Sequence, residues 1–168
     1  MEIGIVGLPN VGKSTLLSRL SAAHPKIANY PFTTKTPNLG IVPLSDFRSF
    51  VMADIPGLIE GAHKGKGMGI QFLRHIQRTK VLVYLLDITS SDYEKDLNTL
   101  INEMESFDKT LLTKPYVIAF NKIDLVANRP LKIKGFIKGK NKAFYISAVT
   151  GENIQEFLEA LSGKILPK

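Results

Sequence analysis

Cysteine is absent from this sequence, which excludes disulfide bonds, zinc sites built on thiolates and catalysis by a thiol. Long hydrophobic runs are absent too, since no uninterrupted apolar stretch approaches the ~20 residues that a helix needs to span a bilayer. The sequence starts with Met1 and enters its first predicted strand almost at once, so no basic and apolar leader is expected. We therefore expect a cytoplasmic protein that does not bind membranes.

Histidine is scarce, with three residues in a chain of 168. His24, His63 and His75 are not spaced as a cluster of metal ligands. We interpret all three as structural or surface residues. A metal site built on imidazole groups is therefore not expected.

Acidic residues are outnumbered, because 15 Asp and Glu residues face 22 Lys and Arg residues and the formal net charge is +7. A basic surplus favours an anionic partner, either a bound nucleotide or RNA. The densest lysine cluster lies in residues 132–142, with Phe136 and Phe144 nearby. Two interpretations stay open for this cluster: contact with RNA phosphates, or a solvated lysine-rich loop or edge strand.

Apolar runs and helical stripes alternate along the chain, a pattern typical of strands and helices around a mainly parallel sheet. The chain is long enough for a single sizeable core, so one α/β domain over residues 1–168 is predicted. We expect six strands, with helices on both faces of the sheet. The predicted strands are residues 2–6, 40–44, 49–54, 81–87, 116–121 and 143–146, and the predicted helices are residues 14–22, 71–78, 92–107 and 152–161, the third preceded by a capping box of Ser91 and Glu94.

The first apolar run leads into a glycine-rich loop. Residues 7–14 match the P-loop template G-x-x-x-x-G-K-S/T at every fixed position. In such a loop, backbone N–H groups turn onto phosphate oxygens at the positive end of the following helix. Lys13 is predicted to reach the outer phosphates, and Ser14 to bind Mg²⁺. The predicted nucleotide-binding residues of this loop are Pro9, Asn10, Val11, Gly12, Lys13, Ser14 and Thr15.

A second motif, D-x-x-G, follows the third predicted strand. Asp54 ends that strand, so its carboxylate is expected at the sheet edge, where it would hold magnesium directly or through water. Gly57 is expected to bring its backbone N–H against a terminal phosphate. Downstream of a P-loop, this spacing indicates a nucleoside triphosphate as the ligand.

A third motif, Asn121-Lys122-Ile123-Asp124, follows another apolar strand. Asp124 is predicted to accept two hydrogen bonds from guanine, one from the ring N–H and one from the amine. Adenine has no such donor pair, and an unpaired carboxylate would discriminate against it by roughly 10⁴-fold or more. Lys122 is expected to lie along the base, and Asn121 to tie this loop to the P-loop. After the last strand, a backbone N–H of Ser147 or Ala148 is expected to reach the guanine carbonyl.

Two long stretches, residues 23–39 and 55–69, fit neither the strand period nor the helix period. Long stretches of this kind inside a compact domain are usually functional loops. Both lie between the P-loop and the middle of the sheet, where loops can reach the phosphates from the carboxyl ends of the strands. We interpret them as mobile switches.

The ordered motifs resemble those of the translation-factor class of GTPases, whose fold is a P-loop NTPase G domain. The amino-acid sequence between the motifs resembles the Obg family. The resemblance implies a magnesium-dependent GTPase with GTP and GDP as substrate and product. It also implies a role in assembly of the large ribosomal subunit, with that subunit or its rRNA as partner. Because the sequence begins at its first predicted strand, we expect the glycine-rich N-terminal domain of that family to be absent. The matching stretches are residues 30–34, 37–40, 54–62, 65–67 and 71–76.

The resemblance also implies catalytic roles. Thr34, rather than Thr33, would bind magnesium and sense the terminal phosphate, releasing both switches when that phosphate is lost. Many GTPases orient water with a glutamine after the D-x-x-G glycine, but Leu58 stands there in this chain. In GTPases with a similar P-loop, an asparagine at the position of Asn10 helps to hold a potassium ion. The alternative for Asn10 is a side chain that braces the loop, and the predicted catalytic set is Lys13, Thr34, Gly57 and Asn10.

Three functions are compatible with these motifs. The preferred one is a monomeric GTP switch with slow turnover, on the order of 10⁻⁴ to 10⁻² per second by analogy with unassisted GTPases. A second is a GTP-dependent binding switch with negligible turnover. A third is an RNA-binding module in which the nucleotide only stabilises the fold.

Residues 127–142 lack a helical stripe, so we expect an extended or irregular crossing there.

Overall fold

The computed structural model describes residues 2–22, 26–27, 38–55, 76–127 and 143–165. Seven strands form one sheet in the order β2-β3-β4-β1-β5-β6-β7. The strands from β4 to β7 pair in parallel, while β2, β3 and β4 pair antiparallel. The strand bounds are β1 Ile3–Gly7, β2 Lys26–Ile27, β3 Asn38–Pro43, β4 Ser49–Asp54, β5 Val81–Asp87, β6 Tyr116–Asn121 and β7 Ala143–Tyr145.

The mainly parallel sheet predicted from the sequence is confirmed. Three predicted strands coincide with β4, β5 and β6, and the other three differ from β1, β3 and β7 by one or two residues at either end. A two-residue strand, β2, extends the sheet at its edge and was not predicted. In β2, Lys26 pairs with Leu39. Both residues lie in the stretch 23–39, where no apolar run indicates a strand.

Three helices and two short 3-10 turns are described. They are α1 Lys13–Leu20, α2 Tyr93–Phe107 and α3 Ile154–Ile165, with 3-10 turns at Lys109–Thr113 and Ile123–Leu125. The predicted helix at residues 71–78 lies mostly outside the described residues, although Ile76 and Gln77 are helical. Residues 128–142 also lie outside, so the predicted irregular crossing there remains a prediction.

The start of α2 corrects one prediction. Ser91 and Glu94 do not form a capping box; instead, the Asp92 carboxylate caps the helix by accepting a hydrogen bond from the Lys95 N–H at 3.0 Å. A carboxylate is favoured at this end because its charge complements the helix dipole. The helix therefore begins one residue later than its sequence pattern predicts.

The helices cover both faces of the sheet, as predicted. Leu16 of α1 and Phe157 of α3 are fully buried on one face, whereas Leu100 of α2 is fully buried on the other. Along β5, successive side chains alternate between the two cores, which is the period-two pattern of a strand covered on both sides. This arrangement holds the carboxyl ends of the parallel strands rigidly at one edge of the sheet.

Candidate nucleotide-binding site

The predicted site residues lie where parallel strands end. Asp54, Asp87 and Asn121 are the last residues of β4, β5 and β6, and the P-loop follows β1. Since these strands run in parallel, their ends share one edge of the sheet, which is where ligands bind in open α/β folds. Ser147 follows β7 at the same edge.

The P-loop backbone is left-handed at two positions. Asn10 and Gly12 both adopt left-handed conformations, with φ of 64° and 104°, and Gly12 is the N-cap of α1. A Cβ at Gly12 would overlap the Asn121 side-chain amide. Glycine at this position therefore permits both the turn and the close approach of the two nucleotide-binding loops.

Lys13 lies across the loop. Its ammonium donates to the carbonyl of Gly7 at 2.9 Å and to that of Leu8 at 3.3 Å. A cavity of about 380 Å³ opens beside it. The cavity thus brings together five predicted phosphate-loop residues, of which Ser14 is also a predicted magnesium ligand, and the second predicted magnesium ligand, Asp54. The five are Asn10, Gly12, Lys13, Ser14 and Thr15.

Asp54 is a buried carboxylate at the floor of this cavity, with 6% of its surface exposed. Its Oδ2 lies 3.5 Å from the Ser14 hydroxyl, which donates to it, whereas Oδ1 accepts no hydrogen bond from the part of the chain that the structure describes. Burial raises the pKa of Asp54, and Lys13, Ser14 and Asn38 oppose this effect.

These two side chains fit magnesium. Mg²⁺ prefers oxygen ligands and is usually held by one or two carboxylates together with substrate phosphates. Asp54 supplies a buried carboxylate oxygen in need of a partner, and Ser14 supplies a hydroxyl beside it. Within the described ranges, no cluster of three or more His, Cys, Asp or Glu side chains forms a metal cage.

Asn121 connects the two halves of the site. Its side-chain Nδ2 donates to the Val11 carbonyl at 3.0 Å, and its Oδ1 accepts from the Ala148 N–H at 2.9 Å. The residue is buried, with 3% exposed. A single amide group therefore joins the P-loop to the loop that follows β7.

The ammonium group of Lys122 is held by two hydrogen bonds. Nζ donates to the Asn10 carbonyl at 2.8 Å and to Asp87 Oδ2 at 2.7 Å. Burial alone would raise the pKa of Asp87, but hydrogen bonds from Lys122 and Thr89 bring that pKa below its ordinary value. Asp87 was not singled out from the sequence, although its position at the end of a buried strand is the signal that identified Asp54.

Asp124 is exposed and lies beside Ser147. Its Oδ1 accepts from the Ser147 hydroxyl at 2.7 Å, and that hydroxyl in turn accepts from the Thr150 N–H at 3.0 Å. The serine is fully buried. This chain of bonds fixes the orientation of the carboxylate while leaving it acceptor capacity for a base.

A further contact was missed by sequence reasoning. Arg19, in the last turn of α1, donates from Nε to the Ala148 carbonyl at 2.6 Å and from Nη2 to the Val149 carbonyl at 2.5 Å. No spacing rule could have paired these residues, because they are 129 and 130 positions apart.

Some predicted site residues lie outside the described residues. These are Gly57 of the D-x-x-G motif and Thr34, together with its alternative Thr33. The P-loop, Asp54 and the residues from Asn121 to Asp124 are all described and are brought together at one edge of the sheet.

A parallel α/β sheet with a P-loop after its first strand and a buried carboxylate beside the P-loop serine defines the class of P-loop nucleotide-binding domains. Residues 2–122 match the family model of the 50S ribosome-binding GTPase. The chain belongs to this family.

The relatives agree with the resemblance to Obg. The chain is 52% identical to GTPase Obg of Chlorobium chlorochromatii over 95% of its length, covering 47% of that protein. It is 48% identical to GTPase Obg of Bdellovibrio bacteriovorus over 98% of its length, covering 52% of that protein. The chain therefore spans about half the length of the curated relatives it matches.

Solved structures show the same fold at lower identity. The G domain of the FeoB iron transporter of T. maritima has a TM-score of 0.68 at 21% identity, with 99% of each chain covered. Era of Aquifex aeolicus bound to GDP.AlF4- has a TM-score of 0.68 at 22% identity, covering 99% of this chain and 57% of that one. These likenesses confirm the predicted fold class, a P-loop G domain.

No helix in the part of the chain that the structure describes is both long enough and apolar enough to cross a bilayer.

Proposed function

We propose that this chain is a magnesium-dependent GTPase domain that binds GTP and hydrolyses it slowly. The observation that carries the proposal is the Asn121 side chain, which bonds both to Val11 in the P-loop and to Ala148 in the loop after β7. This amide holds a phosphate-binding loop and a base-binding loop in one fixed relation. That arrangement suits a ligand with phosphates at one end and a base at the other.

Guanine is the base that the site would select. The Asp124 carboxylate, oriented by the Ser147 hydroxyl, would accept from the ring N–H and the 2-amine. The Ala148 N–H already donates to Asn121 Oδ1, so the guanine carbonyl would share it in a three-centre bond. The stem of Lys122, held at its ammonium by Asp87 and Asn10, would lie along the base.

The phosphates would bind at the cavity beside α1. Lys13 would exchange the Gly7 and Leu8 carbonyls for phosphate oxygens, and the first N–H groups of α1 would face the same charge. Ser14 and Asp54 would hold Mg²⁺, which when bound neutralises charge that develops on the phosphates. Thr34 and Gly57 are proposed to complete this end of the site.

Potassium assistance stays a second part of the proposal. The Asn10 carbonyl braces the loop by accepting from Lys122, and any residue could supply that backbone contact. Asn10 is exposed and lines the cavity beside Lys13, where its side chain would bind potassium, and its left-handed φ is one that asparagine tolerates well.

The biological partner is proposed from the family. The family description names the 50S ribosome, and we propose the large ribosomal subunit or its rRNA as partner, with GTP and GDP controlling the contact. One domain over residues 1–168, a monomeric state and a cytoplasmic location stay predictions. The role of the lysine cluster at residues 132–142 also stays open.

The base assignment is tested by Asp124→Asn. We expect the variant to lose its preference for GTP over ATP and to gain affinity for xanthosine triphosphate, whose 2-carbonyl pairs with the amide. The loss in GTP affinity is expected to be about 100-fold or more, because two charge-assisted hydrogen bonds are replaced. Competition against a fluorescent GDP measures it.

Asp46→Asn is the matched control, since Asp46 is an exposed aspartate on the β3–β4 hairpin that pairs with Arg48. This control is expected to bind as the unmodified protein does. An unchanged GTP preference in Asp124→Asn would overturn the base assignment.

A further inference from the structure

The loop after β7 is short and would carry the contact to the guanine carbonyl; its tip is exposed, whereas Ser147 and Ala148 are buried. Val149 is 65% exposed, and residues 147–151 form a tight turn in which the Gly151 N–H donates to the Ser147 carbonyl at 2.8 Å. Asn121 fixes the Ala148 N–H on one side. A loop of this kind needs a second anchor if its amides are to hold a precise position against a ligand.

Arg19 supplies that second anchor. Its guanidinium donates to two successive carbonyls, those of Ala148 and Val149. The Ala148 residue is therefore held at its N–H by Asn121 and at its C=O by Arg19. Its peptide groups have little freedom to rotate.

The loop is shaped to receive the guanidinium. Gly151 has a φ of +84°, and a Cβ there would lie 3.0 Å from Arg19 Nη1. Glycine thus permits the turn and leaves room for the arginine. The planar fork of arginine, with donors in fixed directions, matches two neighbouring carbonyl groups in a way that the single ammonium of lysine does not.

Arg19 and the predicted phosphate ligands belong to the same helix. Lys13 and Ser14 are in the first turn of α1, and Arg19 is in its last turn. We propose that Arg19 is a positioning residue for base recognition: from the P-loop helix it holds the Ala148 carbonyl, and thereby fixes the residue whose N–H would face the 6-carbonyl of guanine. This inference rests on the proposed function, because it assumes that guanine lies between Asp124 and Ala148.

The test compares two GDP analogues that probe different edges of the base. In 6-thio-GDP the ring N–H and 2-amine remain, but the carbonyl oxygen is replaced by sulfur, a weak acceptor. Inosine diphosphate keeps the carbonyl and lacks the 2-amine, so it probes the Asp124 contact. Affinities of GDP and both analogues are measured by competition for the protein and for Arg19→Lys.

We expect Arg19→Lys to lower the preference for GDP over 6-thio-GDP by about three- to tenfold, since one well-placed hydrogen bond is weakened. The preference for GDP over inosine diphosphate should not change. Arg48→Lys is the matched control, because Arg48 is an exposed arginine that pairs with Asp46 far along the chain from the base loop. It should leave both preferences unchanged.

The other outcomes separate the two proposals. If both preferences fall together in Arg19→Lys, along with the melting temperature of the nucleotide-free protein, Arg19 is merely structural and the inference is wrong. If neither preference changes, it is wrong as well. If the unmodified protein does not prefer GDP over ADP, the proposed function itself fails and this inference fails with it.

Discussion

Asp54 and Asp87 occupy equivalent places in the sheet but differ in their surroundings. They end β4 and β5, the two parallel neighbours of β1. Asp54 is buried, has an oxygen without a hydrogen bond from the described residues, and its pKa is raised. Asp87 pairs with Lys122 at 2.7 Å, and its pKa is lowered.

The difference distinguishes the proposed phosphate end of the site, around Asp54, from the proposed base end, around Asp87 and Lys122. At the base end, the chain provides its own cation to neutralise the strand-end carboxylate. At the phosphate end, Lys13 and Ser14 only partly offset the burial of the carboxylate. A buried charge that the protein does not fully compensate is costly, so it is retained where a ligand compensates it.

The sharpest test of this comparison is Asp54→Asn. We expect magnesium-dependent GTP hydrolysis to fall by about 100-fold or more, because a metal-binding oxygen with its charge is lost. The free energy of unfolding of the nucleotide-free protein should stay the same or rise by up to about 1 kcal/mol, since a poorly compensated charge is removed. Phosphate release and urea denaturation measure the two effects. A large loss of apo stability would contradict the comparison.

Substitution of Asn10 tests whether the phosphate end of the site binds a potassium ion in addition to magnesium. Phosphate release is expected to be about tenfold or more faster in potassium than in sodium at equal magnesium, because a cation at this place would do part of the work of an arginine finger. Asn10→Gly should abolish the difference. Glycine is preferred to alanine here because φ is 64°.

The control for that experiment is Asn10→Asp, which keeps an oxygen ligand at the same position and should retain a potassium effect. Equal, slow release in both salts by the unmodified protein would instead indicate a switch that needs a partner for turnover.

A smaller effect is expected at the base end. Asp87→Asn removes the ion pair of Lys122 but leaves its bond to the Asn10 carbonyl. GDP affinity should fall by about fivefold, equal to about 1 kcal/mol for a partly exposed pair. Unlike Asp54→Asn, this variant should hydrolyse bound GTP at an unchanged rate in single-turnover measurements. A hydrolysis defect as large as that of Asp54→Asn would erase the distinction between the two ends.

The smallest expected effect is on the pH dependence of stability. Because the folded protein raises the pKa of Asp54 above 3.8, that residue should destabilise the fold increasingly as the pH rises from 3.8 through the folded pKa, and by a constant amount above it. The lowered pKa of Asp87 has the opposite sign, so its stabilisation is present above pH 3.8 and is lost as the pH falls through the folded value. Denaturation of each Asn variant against the unmodified protein, from pH 3 to 7, should show opposite slopes.

Local patterns predicted much of this site. The P-loop, Asp54 and the motif from Asn121 to Asp124 each lie in a short segment next to an apolar strand, so chemistry and placement are visible together. Arg19 and Asp87 could not be assigned roles in the same way. Their partners lie 129 and 35 positions away, and such contacts depend on how the sheet brings distant segments together.

The fold was predicted most accurately in strands β4, β5 and β6. The bounds of β4, β5 and β6 follow from continuous apolar runs. The errors include an edge strand that was not predicted, because only two residues pair there, and a helix cap at which the Asp92 carboxylate replaces the predicted capping box. The last helix, predicted at residues 152–161, is observed at Ile154–Ile165. The predicted switches lie mostly beyond the described residues, so their motion remains a prediction.

Helix α1 sets the distance between the phosphate end and the base end of the proposed site. Lys13 and Arg19 are six positions apart, which corresponds to a rise of about 9 Å along a helix axis. One end of α1 lies at the phosphate loop, and the other end holds the carbonyl of Ala148, the residue whose N–H is proposed to contact the base. Adding or removing one residue between them would rotate Arg19 by about 100° away from its two carbonyls. Recognition of the proposed nucleotide thus depends on the spacing between Lys13 and Arg19 as well as on their identity.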